Sequence, residues 1–160
     1  MKDYKDSLLA GIAAAKKAED NRKEISSILA NLNAQIKEIS DGKATFGRAT
    51  FQRRLENKAA QAFVSLAQQL TLGRNTEEYE GLGIFNSEGK NGIEIAEWSE
   101  DDSGYPCSIR YSGEKTFCSN KQELENALSI LLREVKAGEA IIEQINRYDK
   151  NAKLQDADPA

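Results

Sequence analysis

The sequence predicts an α+β protein: a long N-terminal helical hairpin or coiled-coil arm, then a small antiparallel sheet of three to four strands, then a C-terminal helix or helices. Three observations predict it. Apolar residues recur at heptad spacing from Tyr4 to Ile39, short alternating segments come after Arg74, and helical periodicity returns after Asn120. The expected division is a helical region over residues 1–73, a sheet with its helices over 79–150, and a polar, flexible tail over 151–160.

The heptad seam comes first. Leu8, Ala15, Arg22, Leu29 and Ile36 occupy one of its positions, and Tyr4, Gly11, Ala18, Ile25, Leu32 and Ile39 the other. Small residues (Gly11, Ala15, Ala18) dominate its first half and large aliphatic ones its second. Ile12, Ala14 and Ile28 widen the stripe beyond that of an isolated two-stranded coil, so an antiparallel hairpin or multi-helix bundle is expected. Asp41-Gly42 should stop the helix, because glycine accepts the left-handed conformation just past a last turn.

A second helix is expected to begin with Thr50 as its N-cap and to run to Leu72, with Phe51, Leu55, Ala59, Ala62, Phe63, Leu66 and Leu70 on one face. Ahead of it stands a short duplication, Ala44-Thr45-Phe46-Gly47-Arg48 and then Ala49-Thr50-Phe51-Gln52-Arg53. A single echo does not make a repeat architecture.

Strands are predicted over Leu82–Asn86, Gly92–Ser99, Tyr105–Tyr111 and Glu114–Cys118. The alternation of Tyr105, Cys107, Ile109 and Tyr111 places them on one face. Two hairpin registers are open for the last pair of strands. A two-residue Ser112-Gly113 loop sets Cys107 across from Cys118, whereas a bulged three-residue loop aligns Ile109 with Phe117; the bulged form is preferred because it gathers the large apolar residues. Either way, free thiols are expected.

Ser119 or Asn120 should cap the next helix, with Gln122 or Glu123 closing the capping box and Leu124, Ala127, Leu128, Leu131 and Val135 as its apolar face. Gly138 then ends that helix or bends it before Ala140, Ile141, Ile142, Ile145 and Tyr148.

Composition narrows the function classes. The 160 residues contain no histidine, which removes Ser-His-Asp and Cys-His nucleophile activation and histidine-built zinc sites. Two cysteines are too few for a four-cysteine metal site. Gly83 to Asn91 resembles a phosphate loop, but the glycine spacing, the missing Ser or Thr and the strand beyond it make it a hairpin turn. Glu100-Asp101-Asp102-Ser103-Gly104 lacks the alternating ligand spacing of a calcium loop and reads as a solvated turn. No catalytic, cofactor-binding or metal-binding residues are therefore assigned.

The net charge of −4 argues against coating nucleic acid by bulk electrostatics, yet the charge is unevenly placed. Lys43, Arg48, Arg53, Arg54 and Lys58 form a basic segment, and Glu77 to Asp102 holds nine carboxylates against Lys90 alone. No signal peptide or membrane span is expected, so the predicted address is cytoplasmic.

Two functions remain open. The preferred one is a non-catalytic, protein-binding or regulatory protein of the adaptor or inhibitor type. It acts through a helical oligomerisation seam (Leu8, Ala15, Ile25, Leu29, Leu32, Ile36, Ile39) and an acidic sheet surface. The partner is another protein or a second copy, with Ile25, Leu29, Leu32 and Ile36 meeting across a homo-oligomer interface. The alternative is a nucleic-acid-associated accessory protein whose segment 43–58 tracks phosphates.

Overall fold

The structure, a computed structural model, describes residues 1–54 and 76–156. The class is α+β. The described elements are α1 (Lys5–Ile39), β1 (Ala44–Arg54), β2 (Thr76–Asn86), β3 (Ile93–Asp101), β4 (Gly104–Tyr111), β5 (Glu114–Cys118), α2 (Lys121–Leu132) and α3 (Val135–Asp156). The strands form one antiparallel sheet in the order β1-β2-β3-β4-β5.

Two features of the expected helical region are corrected. Residues Lys5–Ile39 form one helix and the next element is a strand, so no hairpin of two helices is seen among the described residues. Thr50 does not cap a helix. It pairs with Glu80 in β1, and Phe51 pairs with Tyr79; the remainder of the expected second helix, from Leu55 on, lies outside the described residues. The sheet accordingly has five strands rather than three to four.

The physical reason is in the cross-strand pairs. The first half of β2, Thr76 to Gly81, is rich in glutamate and carries little strand propensity of its own. Opposite it lies the basic end of β1, in a register that sets Arg53 against Glu77 and Thr50 against Glu80. One opposite-charge pair, Arg53–Glu77, and one side-chain hydrogen bond, from the Thr50 hydroxyl to Glu80, directly across the ladder supply what propensity lacks.

The five-residue echo also becomes intelligible. Because side chains in a strand alternate with period two, an odd repeat sends its two copies to opposite faces. Phe46 enters the core, whereas Phe51 contacts Tyr79 and Phe85 on the other side, with ring centroids 6.3 Å from each. The same arithmetic separates Arg48 from Arg53.

Among the described residues the core is a single cluster. Phe46, Leu82, Ile84, Ala96, Trp98, Cys107, Ile109 and Cys118 line one sheet face and meet Ile25, Ile28, Leu29 and Ile36 of α1, Leu124, Leu128 and Leu131 of α2, and Ala137 and Ala140 of α3. A bulge between Leu82 and Gly83 makes Ile95 an extra residue in β3, and it too is buried.

Polar side chains join helices to strands. Ser40 Oγ donates to the Ile36 carbonyl and accepts from the Ala44 N–H, while Asn33 Oδ1 accepts from the Phe46 N–H at 2.8 Å. Asp41 and Gly42 have positive φ, and the Gly42 N–H bonds back to Lys37, as expected of the helix stop. Asn120 Oδ1 accepts from the Glu123 N–H, and the Glu123 carboxylate accepts from the Ser119 N–H, which closes the capping box. α2 ends before Gly138: the break falls at Arg133 and Glu134, and Gly138 lies within α3. α3 continues through Asn151 to Asp156, so the first part of the polar tail is helical.

Gln144 clamps α3 onto the sheet. It is fully buried, and its Nε2 donates to the Ile84 carbonyl at 3.0 Å and the Asn91 carbonyl at 2.7 Å. Gln144→Leu keeps the volume but strips both carbonyls of their donor. A loss of about 1–3 kcal/mol in unfolding free energy is expected, read from urea denaturation with an unchanged m-value.

Candidate interaction surfaces

Once α1 is docked on the sheet, its two halves have different fates. Ile25, Leu29 and Ile36 are buried, Leu32 is half-buried, and all four lie in or against the protein's own core. These positions are therefore occupied within one copy of the chain. Ile39, the last residue of the predicted seam, is exposed, because the helix terminates there and turns away.

Among the described residues the first half has no such cover. Every residue from Met1 to Lys17 is exposed; Ala14 and Lys17 edge a cleft shared with Ser103 and Tyr105, burial begins at Ala18, and Asn21 Nδ2 donates to the Ser103 carbonyl. Leu8 is 65% exposed, Leu9 63% and Ile12 54%, with Ala15 beside them. Spacings of three and four residues put Leu8, Gly11, Ile12 and Ala15 on one side of the helix. The exposed helical stretch Lys5–Lys17 is roughly 20 Å long at 1.5 Å per residue.

The sheet settles the uneven charge in a way that chain order conceals. Arg48 and Arg53 of the basic block pair with carboxylates of the acidic one. Arg53 bonds to both Glu77 and Glu97 and stacks 4.5 Å from the Tyr79 ring centroid, while the Tyr79 hydroxyl donates to Glu94. Arg48 donates to Glu100 at 2.8 Å and to Ser26 of α1. Lys43 pairs with Asp149 at 2.8 Å and lies over the Tyr148 ring. Hydrogen bonding to Asp149 holds the Lys43 ammonium above its ordinary pKa, and the bond to Glu77 does the same for the Arg53 guanidinium. Arg54 ends β1 and pairs in register with Thr76; Lys58 lies outside the described residues.

The two turns that resemble ligand loops in sequence are internally bonded. Asn86 Oδ1 accepts the N–H groups of Glu88 and Lys90 in the β2–β3 hairpin. Asp101 accepts from the N–H and hydroxyl of Ser103, which holds its carboxyl below the usual range, and Arg22 donates to the Asp102 carbonyl at 2.7 Å. Among the described residues no group of three or more Cys, Asp or Glu side chains is placed to hold a metal ion. No helix of the described residues is long and apolar enough to cross a membrane. A cleft of about 460 Å³ between β3, the end of β4 and the start of α3 is lined by Arg53, Arg110 and Lys136 against Glu94, Glu97 and Glu134, a balanced set that selects no ligand charge.

The preferred cysteine register is corrected. Ser112 and Gly113 form a two-residue loop, both with positive φ, so Cys107 lies directly across from Cys118 and Ile109 across from Thr116. Twist matching in a tight loop outweighs the apolar grouping of the bulged form, and Phe117 is left 63% exposed. Both thiols are free and buried.

Burial pushes the Cys107 thiol up to about 12, with the adjacent Cys118 adding to it, and burial likewise raises Cys118. Burial and the bond to Glu94 take Tyr79 to about 12; burial and the bond to Glu24 push Tyr105 up in the same direction. All four groups bind protons more tightly when folded. Their contribution is therefore complete below the ordinary thiol value of 9.0 and is lost as pH rises towards about 12. Thermal melts should show Tm falling progressively above that lower value and no pH dependence from these groups between pH 6 and 8. An unchanged Tm at pH 10.5 would contradict this.

Sequence reasoning placed the weight of the seam on Ile25 to Ile36 and passed over Leu9, Gln144 and the Arg53–Tyr79–Glu94 cluster. The alternation of Glu77, Tyr79 and Gly81 was the available signal for the cluster, masked by its acidity. Compared with protein-family models, curated proteins and solved structures, the chain matches none of them.

Proposed function

We propose that this chain is a non-catalytic protein-binding or regulatory protein whose contact surface is the projecting first half of α1. The observation that carries the reading is the ridge of Leu8, Leu9 and Ile12, large aliphatic residues more than half exposed on an ordered helix that extends past its own core. Apolar side chains grouped along one exposed helical side mark an interaction surface, since each is stabilised by leaving water. The position of Ile25, Leu29 and Ile36 in the core moves the proposed contact from the second half of the seam to the first.

The nucleic-acid reading has weaker support, because Lys43, Arg48 and Arg53 already hold carboxylate partners that phosphate would have to displace. The discriminating experiment is affinity capture from native cell extract with the wild-type chain and a Leu8→Glu/Ile12→Glu variant, with and without nuclease. A protein retained by the wild type, lost with the variant and indifferent to nuclease is expected. Retention that needs intact nucleic acid and survives the variant would replace this reading with the alternative.

A further inference from the structure

Resting on that proposed function, we infer that the occupant of the projecting arm is a second copy of this chain, paired antiparallel through a two-fold axis beside Gly11 and Ile12. Size complementarity is the first argument. Such an axis sets Leu8 of one copy against Ala15 of the other and Ile12 against Gly11, so each large side chain meets a small one, twice over. Parallel pairing would instead oppose Leu8 to Leu8 and Gly11 to Gly11, crowding one level and leaving a gap at the next.

Charge complementarity is the second and independent argument. With the axis at that point, Lys5 of each copy comes level with Ala18 of the other, one residue or about 1.5 Å short of Glu19, an offset that two long side chains span; Lys5 and Glu19 lie on the same flank of the helix, about 40° apart in projection at 100° per residue. The antiparallel two-fold brings like flanks together, so two reciprocal Lys5–Glu19 pairs form. In the single copy Glu19 bonds to Lys23 one turn on, but both side chains are more than half exposed, so that contact exchanges at little cost. Leu8, Gly11, Ile12 and Ala15 are all exposed, and burial against the body of each copy starts only at Ala18, at the end of the paired segment.

The test is sedimentation equilibrium of the full chain over a wide concentration range. The wild type should pass from monomer to dimer. Leu8→Glu/Ile12→Glu should weaken dimerisation roughly tenfold or more, since two apolar side chains per copy lose their burial. Lys5→Glu and Glu19→Lys should each weaken it by roughly threefold to thirtyfold, and combining them should restore it, because the ion pair is rebuilt with its signs exchanged. Circular dichroism should show all four variants folded, as the altered residues are exposed. A monomer at every concentration, a dimer indifferent to Leu8→Glu/Ile12→Glu, or a charge exchange that fails to restore affinity would each overturn the self-pairing. If the wild type stays monomeric but loses a captured protein when Leu8 and Ile12 are changed, self-pairing fails while the protein-binding reading stands.

Discussion

Among the described glycines, Gly104→Val combines a positive φ with a backbone clash and should lower stability by about 3–5 kcal/mol. The backbone at Gly104 has φ +90, a conformation that a β-branched residue adopts only under strain. A Cβ there would also come 2.7 Å from Cβ of Asn21 and 3.2 Å from the backbone nitrogen of Arg22. The helix backbone cannot swing aside as a side-chain tip would. Relief requires α1 to lift, which breaks the bonds from Asn21 to the Ser103 carbonyl and from Arg22 to the Asp102 carbonyl.

Gly113 provides the control. Its φ is +78, but nothing lies within 4 Å of a Cβ built there. Gly113→Val should therefore cost only the strain, about 1–3 kcal/mol. Urea denaturation of both variants measures the difference, and equal losses would show that the close approach of α1 to the β3–β4 turn carries no weight.

The second large effect compares two leucines at the same seam position of one helix. Leu29 is buried against the sheet; Leu8 is 65% exposed. Leu29→Ala should destabilise by about 2–4 kcal/mol through lost burial and a residual cavity. Leu8→Ala, measured in the dilute monomer, should change stability by no more than about 0.5 kcal/mol. Both replacements alter helix propensity alike, so the difference isolates tertiary packing. Comparable losses at the two sites would mean that the arm is covered within a single copy, and the proposed binding surface would be lost with it.

Much of the fold was legible because several signals are local. The length of α1 is set by its heptad spacing and the Asp41-Gly42 stop; the α2 start is marked by Asn120 and Glu123; the last three strands are marked by alternation and turn residues. Local signals failed where a distant partner decides. Thr50 ahead of Phe51 satisfies the rule for a helix start, yet Glu80 and Tyr79 across the ladder hold both residues in β1. The acidic opening of β2 lacks strand propensity and is held by β1 in return.

The candidate surface shows the same division. The sequence by itself determined that α1 carries an apolar stripe along its length, because side-chain spacing on a helix depends only on the order of residues. Only the tertiary structure decided which part of the stripe is used internally: with the sheet anchored through Asn33, Ser40 and Gly104, burial along the helix goes no further than Ala18. Burial is a property of where distant segments meet, and chain order does not record it.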